Sequence, residues 1–140
     1  ALRVIGKKVS FTNGCFDIIH PGHLFSLQQA ADQADFLIVG LNSDASVRKL
    51  KGPTRPINST ESRALVLAHL VVVDAVVVFE EETPLELISA LLPDVLVKGG
   101  DYTLEQVVGS KEVIAQGGKV IINPIVEGFS TTQLIEKIKK

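Results

Sequence analysis

Methionine and tryptophan are absent from the 140-residue sequence, and cysteine occurs once, as Cys15. A single cysteine excludes an internal disulfide, which favours a reducing compartment such as the cytoplasm. The longest apolar stretch, residues 64–79, is interrupted by His69 and Asp74 and is too short and too polar to cross a bilayer. No basic segment followed by an apolar one opens the sequence, so we expect no secretory signal. Because residue 1 is not methionine, we expect the chain to be processed or cut from something longer.

A large excess of one charge sign is also missing. The sequence has 14 Lys and Arg against 16 Asp and Glu, which gives a formal net charge of -2. The field of the whole protein therefore attracts neither nucleic acid nor an acidic membrane, and any anion site must be built locally. With 46% hydrophobic and 21% charged residues, the composition is typical of a globular protein with a full core. We expect one domain over residues 1–140.

Short apolar runs alternate with helical patterns along the chain. Strands are predicted at residues 8–12, 35–41, 75–79, 94–97 and 119–125, and helices at 21–34, 43–50, 59–70, 83–92, 107–116 and 130–139. Strands separated by helices indicate parallel crossovers, and near-continuous Val, Ile and Leu strands indicate burial on both faces. We therefore predict an α/β fold, a doubly wound Rossmann-like parallel sheet of about five strands. Thr83 and Glu86 have the spacing of a capping box at the start of the fourth helix.

Four polar segments follow predicted strands. They are residues 13–23, 49–55, 98–102 and 127–132. In a doubly wound sheet, ligands bind beyond the carboxyl ends of the strands, near the point where the strand order reverses. Segments that are far apart in the sequence are thus expected to converge on one site.

The first segment places two histidines around a Pro-Gly pair. His20 is at the position of an N-cap, and His23 lies one turn into the predicted helix on nearly the same face. A helix N-terminus favours anions, and two imidazoles there can donate to phosphate oxygens and stabilise a charged transition state. A turn with two surface histidines is the simpler alternative. Zinc would need a third ligand, and no Cys or His cluster supplies one.

The second segment carries Lys49, Lys51 and Arg55, and Pro53 and Pro56 stiffen it. Such a loop suits a clamp for phosphates, while a solvated cluster of charges is the alternative.

The third and fourth segments add further polar groups. Lys98 could bind a phosphate and Asp101 a ribose hydroxyl, although the glycines between them are also explained by a tight turn. Ser130 fits an N-cap of the last helix, which is compatible with a phosphate on the same amides. Cys15 has no base placed by a motif to activate it, so we interpret it as a bystander.

Two of these segments resemble family signatures. "FDIIHPGH", residues 16–23, resembles the F-D-x-x-H-x-G-H signature of cytidylyltransferase-like nucleotidyltransferases, and "FSTTQL", residues 129–134, resembles their I-S-S/T-T-x-x-R. With "LNSDASVRKLKG", "RPIN", "VDAVVVFEEETP" and "PDVLVKGGDY", nearly the whole chain is similar to the adenylyltransferase domains of ADP-heptose synthases. Ile135 departs from the terminal arginine of the second signature. Ile125 stands where glycerol-phosphate cytidylyltransferases have an arginine.

The resemblance implies an enzyme that transfers AMP from ATP to D-glycero-β-D-manno-heptose 1-phosphate, for lipopolysaccharide core or related heptose biosynthesis. It implies Mg²⁺ bound mainly through the ATP phosphates, and an upstream sugar kinase domain in those relatives that are fused. A homodimer is left open. A cytidylyltransferase acting on glycerol 3-phosphate or a similar small phosphate, and a non-catalytic nucleotide-binding module, are the alternatives.

The residues and the resemblance together predict the site. The catalytic residues are His20, His23 and Lys51. The nucleotide-binding residues are Thr12, Asn13, Gly14, Phe16, Asp17, His20, His23, Lys98, Gly99, Asp101, Ser130, Thr131 and Thr132. The residues that bind the acceptor substrate are Lys49, Lys51, Arg55 and Arg63, of which Arg63 matches a family arginine near the acceptor phosphate.

Overall fold

The computed structural model describes residues 6–100, 102–123 and 130–139. Within these ranges the strands are β1 (Val9–Gly14), β2 (Phe36–Asn42), β3 (Ala75–Phe79), β4 (Val95–Gly99) and β5 (Lys119–Asn123). The helices are α1 (Pro21–Asp32), α2 (Asp44–Lys51), α3 (Thr60–Ala68), α4 (Leu85–Leu91), α5 (Ser110–Ala115) and α6 (Thr131–Lys139). None of these described helices combines the length and the apolar character needed to cross a membrane.

The strands form one parallel sheet in the order β3-β2-β1-β4-β5. The chain winds outward from β1 to β3 and then returns to place β4 on the other side of β1. The strand order therefore reverses between β1 and β4, which opens a crevice at their carboxyl ends. The predicted doubly wound α/β sheet is confirmed.

Both faces of the sheet are buried, as the continuous apolar strands predict. Leu27 and Ala30 of α1 and Leu67 of α3 pack on one face. On the other face, Phe11 and Ile88 belong to a second apolar cluster. Helices thus pack against both faces of the sheet.

Two local predictions were wrong. The N-cap of α4 is Pro84, which has no side-chain capping bond, so Thr83 lies one residue too early to form the predicted capping box. The predicted helix 107–116 begins only at Ser110, after a short 3-10 turn. Gly109 has φ +88°, and a left-handed residue interrupts a right-handed helix.

Candidate functional site

A cavity of about 710 Å³ lies at the carboxyl edge of the sheet, where the strand order reverses. Most of the sequence-predicted site residues line it: Asn13, Gly14, Phe16, Asp17, His20, His23, Lys51, Arg55, Lys98, Gly99, Ser130, Thr131 and Thr132. Thr12, Lys49 and Arg63 do not line it. Asp101 and residues 127–129 lie outside the described residues. The four predicted segments thus each contribute a wall of this cavity.

The turn between β1 and α1 is shaped by Phe16, a buried aromatic residue at φ +47°. A left-handed backbone is costly for a bulky residue and persists only where its surroundings enforce it. The Phe16 ring packs against His23 with its centroid 5.2 Å away. A Cβ on Gly14 would approach the same ring to 3.0 Å, so a side chain at that position would require the ring to shift.

The two histidines cap the helix that they begin. His20 is the N-cap of α1, and its Nδ1 accepts a hydrogen bond from the amide of Gly22 at 3.1 Å. The Nδ1 of His23, the third helical residue, accepts from the amide of His20 at 3.2 Å. This is the reciprocal geometry of a capping box, built from imidazoles instead of a hydroxyl and a carboxylate. The spacing of three residues is explained by this exchange.

Capping also determines where each ring carries its proton. Because Nδ1 of both rings accepts from an amide, the neutral form of each ring is protonated at Nε2. The rings of His20 and His23 stack with centroids 3.8 Å apart and an interplanar angle of 26°. Two Nε2–H groups are therefore carried on one rigid unit in the cavity wall.

Burial keeps both rings neutral. It lowers the pKa of His20, and it lowers the pKa of His23 to about 4, with the charge of His20 adding to the effect and the Ile18 carbonyl opposing it. At neutral pH the pair offers hydrogen-bond donors without a full positive charge.

Cations approach the cavity from two sides. Lys51, the last residue of α2, and Arg55 lie on one side, and Lys98 at the end of β4 lies on the other. The Lys98 ammonium sits 5.1 Å from the ring centroid of Tyr102, within cation–π range. Burial lowers the pKa of Lys98, and the charge of Lys51 lowers it further although Cys15 opposes this. Because burial and the nearby Lys51 charge disfavour the protonated form of Lys98, an anion bound in the cavity would stabilise that form.

Cys15 lines the same cavity and is a free thiol. Burial raises the pKa of this thiol, and Lys51, Arg63 and Arg55 only partly offset that effect. A thiol with a raised pKa is a poor nucleophile at neutral pH, which supports its interpretation as a bystander.

The amino end of α6 completes the cavity. Ser130 caps this helix, since its hydroxyl accepts from the amide of Gln133 at 3.4 Å. The Thr131 hydroxyl donates to the carbonyl of Ile18 at 3.3 Å, which joins α6 to the loop that carries the histidines. A helix N-terminus with hydroxyl side chains is thus directed to the same space as the histidine pair.

Arg63 is buried beneath the cavity with 2% of its surface exposed. Its Nε donates to the carbonyl of Asn58, and Nη1 donates to the carbonyls of Cys15 and Asn42. Nη2 donates to the Asp44 carboxylate and more weakly to the hydroxyl of Thr60. All five N–H groups of this guanidinium are engaged, so none is left to bind the acceptor phosphate that the sequence analysis assigned to it.

Several lining residues were missed by the sequence analysis. They include Ser26, Asn42, Glu82, Thr83 and Gln106. Ser26 lies three residues after His23 on α1, so helical spacing was a usable signal for it. Asn42 ends β2 and the others follow strands at the same edge, but none of them belongs to a phosphate-binding pattern.

In the part of the chain that the structure describes, no group of three or more His, Cys, Asp or Glu side chains could hold a metal ion. The Asp17 carboxylate in the cavity wall is already paired with Arg55 and two amides. The described residues of the cavity could therefore hold a divalent cation only if phosphate oxygens of a ligand supply most of its coordination.

The sequence and the fold were compared with those of known proteins. The bifunctional protein HldE of Caulobacter vibrioides is 60% identical over 136 residues, which cover 97% of this chain and 28% of that protein. The chain therefore spans little more than a quarter of the length of the curated relatives it matches.

Two solved structures share the fold. A lipopolysaccharide core biosynthesis protein from Thermoplasma volcanium has a TM-score of 0.69 and 26% identity, over 86% of this chain and 98% of that one. A pantoate-beta-alanine ligase from Francisella tularensis has a TM-score of 0.59 at 16% identity, over 95% of this chain and 69% of that one. The second similarity concerns the fold alone.

A family model covers most of the chain as well. The model described as cytidylyltransferase-like matches residues 11–137, which include the histidine loop, the cations and the start of α6. The chain belongs to the cytidylyltransferase-like family.

Proposed function

We propose that this chain is an adenylyltransferase that transfers AMP from ATP to D-glycero-β-D-manno-heptose 1-phosphate, giving ADP-heptose and pyrophosphate. The observation that carries the proposal is the stacked pair His20 and His23, which caps α1 at the point where the strand order reverses. The similarity to HldE proteins and to a lipopolysaccharide core biosynthesis protein supports the choice of acceptor.

The proposed reaction is a direct in-line displacement. An oxygen of the sugar 1-phosphate forms a bond to the α-phosphorus of ATP, while the bond from that phosphorus to the oxygen bridging to the β-phosphate breaks. Pyrophosphate leaves with the bonding electrons, and no covalent enzyme intermediate forms. Catalysis then consists of positioning and of stabilising charge at the α-phosphate.

The histidine pair supplies donors for that charge. Nε2–H groups of His20 and His23 would donate to phosphate oxygens as negative charge builds up in the transition state. Because their Nδ1 atoms are held by backbone amides, the rings need no reorganisation when the charge develops. Lys51 would neutralise phosphate charge from the end of α2.

The rest of the wall would bind the nucleotide. Lys98, Gly99 and Ser130 to Thr132 would hold phosphate or ribose groups, the last through the amides and hydroxyls at the start of α6. Asn13, Gly14 and Phe16 would line the nucleotide mainly through backbone atoms. Thr12 and Asp101 stay predictions as direct contacts.

A divalent cation, Mg²⁺ in our proposal, would be bound mainly through the nucleotide phosphates and would neutralise part of their charge. The residues of the chain would contribute the surrounding amides, hydroxyls and cations.

The remaining proposals concern the whole protein. We propose that residues 1–140 act as one nucleotidyltransferase domain, working in the cytoplasm, where ATP is available. A sugar kinase domain accompanies it in a longer protein, in keeping with relatives that are called bifunctional and are more than three times as long. A homodimer remains compatible with the resemblance.

The alternative cytidylyltransferase activity is not favoured. Ile125 and Ile135 stand where the related signatures place arginines, whereas similarity to HldE proteins extends over 97% of the chain. A non-catalytic nucleotide-binding module would have no need for both histidines and Lys51 in one cavity.

The experiment is pyrophosphate release with ATP or CTP as donor and heptose 1-phosphate, other sugar 1-phosphates or glycerol 3-phosphate as acceptor. ATP with heptose 1-phosphate is expected to be the preferred pair. A preference for CTP with glycerol 3-phosphate would support the cytidylyltransferase. ATP binding without turnover of any acceptor would support the binding module. His69→Asn is a matched control, because His69 is exposed at the end of α3 and outside the cavity.

A further inference from the structure

Asp17 is a carboxylate in the cavity wall that the proposed chemistry does not use. Its side chain has 0% exposure. Its oxygens accept from Arg55 Nε at 3.0 Å, from the Ile57 amide at 2.8 Å and from the Asn58 amide at 2.8 Å. Burial disfavours its ionisation, but the two amides and the guanidinium together hold its pKa below the ordinary value. Both oxygens are thus occupied, and the group is available neither as a base nor as a metal ligand.

These contacts fasten one loop to another. Asp17 lies three residues before His20, whereas its partners lie in the loop between α2 and α3. The side-chain amide of Asn58 also donates to the Asp17 carbonyl at 2.5 Å. The position of the α2–α3 loop is therefore tied to the loop that carries the histidines.

Arg55 is the side chain that this arrangement orients. Its side chain is only 11% exposed, it lines the cavity, and its Nε is held by Asp17. No contact of its Nη1 and Nη2 groups is found among the residues placed by the structure. Because a guanidinium is planar, fixing Nε also fixes the direction of the four remaining N–H groups. Such a fork binds a phosphate through two parallel hydrogen bonds.

Two other cations are poorly placed for the acceptor. Arg63 has every N–H engaged with the protein, and Lys49 is exposed and does not line the cavity. Of the four residues predicted to bind the acceptor, Lys51 and Arg55 line the cavity. We assign Lys51 to the nucleotide phosphates, so Arg55 is the residue whose N–H donors would bind the acceptor.

We propose that Asp17 is a positioning residue that holds the Arg55 guanidinium toward the phosphate of the acceptor, so that the pair selects a phosphorylated acceptor. The proposal rests on the proposed function. It makes Asp17 act through Arg55 and not through the metal or the nucleotide.

The charge of Asp17 and its proposed positioning role predict opposite effects of Asp17→Asn on phosphate binding. Removing a negative charge from a site that binds anions should strengthen phosphate binding. If Asp17 positions Arg55, Asp17→Asn should weaken it, because the guanidinium loses its fixed direction.

The experiment is a double-mutant cycle on Asp17→Asn and Arg55→Gln in the full chain. Calorimetry measures binding of the sugar 1-phosphate, and steady-state assays measure KM for acceptor and ATP. Arg55→Gln is expected to weaken acceptor binding by about tenfold or more, as loss of a charge-assisted hydrogen bond does. Asp17→Asn should also weaken acceptor binding, and it should change KM for ATP by less than about threefold. The double variant should bind the acceptor within about twofold of the affinity of Arg55→Gln, because both substitutions disrupt the same interaction.

The matched control is Arg48→Gln, which removes an exposed cation from α2 and should leave both constants unchanged. Tighter acceptor binding in Asp17→Asn, equal effects on acceptor and ATP, or additive effects in the double variant would overturn the proposal.

Arg55→Lys covers the case in which Asp17→Asn does not fold. It keeps the charge but lacks the planar fork, so it should lose acceptor affinity nearly as Arg55→Gln does; wild-type affinity would overturn the proposal. If the wild type releases no pyrophosphate, the proposed function fails. Binding of inorganic phosphate to the same variants still decides the role of Asp17 and Arg55.

Discussion

The imidazole rings of His20 and His23 stack 3.8 Å apart while the Nδ1 of His23 accepts the amide of His20. The same two side chains therefore begin the helix and carry the donors to which we assign the catalytic role. The hydrogen bonds from backbone amides to the two Nδ1 atoms stabilise the start of α1. The same bonds orient the Nε2–H donors of both rings.

These two roles can be separated at His20. His20→Ala removes both the cap and the Nε2 donor, and we expect it to cost about 1 kcal/mol of unfolding free energy and about 100-fold in kcat. His20→Asn keeps a good capping side chain, so it should retain the stability and still lose the rate. Urea unfolding and initial rates of pyrophosphate release provide the two measurements. Near-normal turnover in His20→Asn would contradict the assigned role.

The low pKa of His23 predicts how stability depends on pH. The folded-state pKa is about 4, below the value of about 6.5 for an unfolded chain. Between these values the unfolded chain binds a proton that the folded chain does not, so stability is fully present above pH 6.5 and falls as the pH decreases toward 4.

Thermal unfolding at pH 7, 6 and 5 measures this effect. His23→Gln retains a side chain that can accept the His20 amide but does not titrate, so its Tm should fall less over the same range. Other titrating groups are common to both proteins and cancel in the difference. Parallel Tm curves would show that burial of His23 has no such effect.

Lys51 and Lys49 are two cations on one helix that differ in position. Lys51 lines the cavity, whereas Lys49 does not. Lys51→Ala should lower kcat/KM by about tenfold or more through loss of charge stabilisation, and Lys49→Ala by less than about threefold. Steady-state kinetics at two ionic strengths distinguishes local from long-range charge effects. A larger loss of kcat/KM in Lys49→Ala than in Lys51→Ala would assign the phosphate-binding role to Lys49 instead.

Arg63 is expected to affect stability more than recognition. Arg63→Gln leaves the carbonyls of Cys15 and Asn42 without their buried donors and removes the ion pair of Asp44. We expect a loss of about 3 kcal/mol in urea unfolding, against less than about 0.5 kcal/mol for the exposed control Arg48→Gln. Unchanged stability with a raised KM for the acceptor would instead support the direct phosphate contact that the family resemblance implies.

Much of the fold could be predicted because its signals are local. The run "AVVVF" between Asp74 and Glu80 predicts β3 with the bounds that the structure has. Ser43 and Ser59 precede α2 and α3 as N-caps, each accepting an amide from three residues on. The cavity could be predicted as well, since the alternation of strands and helices determines which loops share an edge.

Other features depend on the assembled fold. A charged residue in a helical pattern looks the same whether it faces solvent or is buried, so only the approach of three carbonyls distinguishes Arg63. The partners of Asp17 lie 38 to 41 residues away in the chain, and no spacing rule links them. A Cβ on Gly109, the left-handed residue that precedes α5, would approach Ile88 to 2.8 Å, and no sequence pattern contains that contact.

The most direct test of the central claim is the donor and acceptor preference of the wild-type chain, with His69→Asn as control and His20→Asn as the catalytic variant. We expect pyrophosphate release with ATP and D-glycero-β-D-manno-heptose 1-phosphate and little release with CTP. The rate should fall about 100-fold in His20→Asn and stay unchanged in His69→Asn. Turnover that prefers CTP and glycerol 3-phosphate, or that is unchanged in His20→Asn, would contradict it.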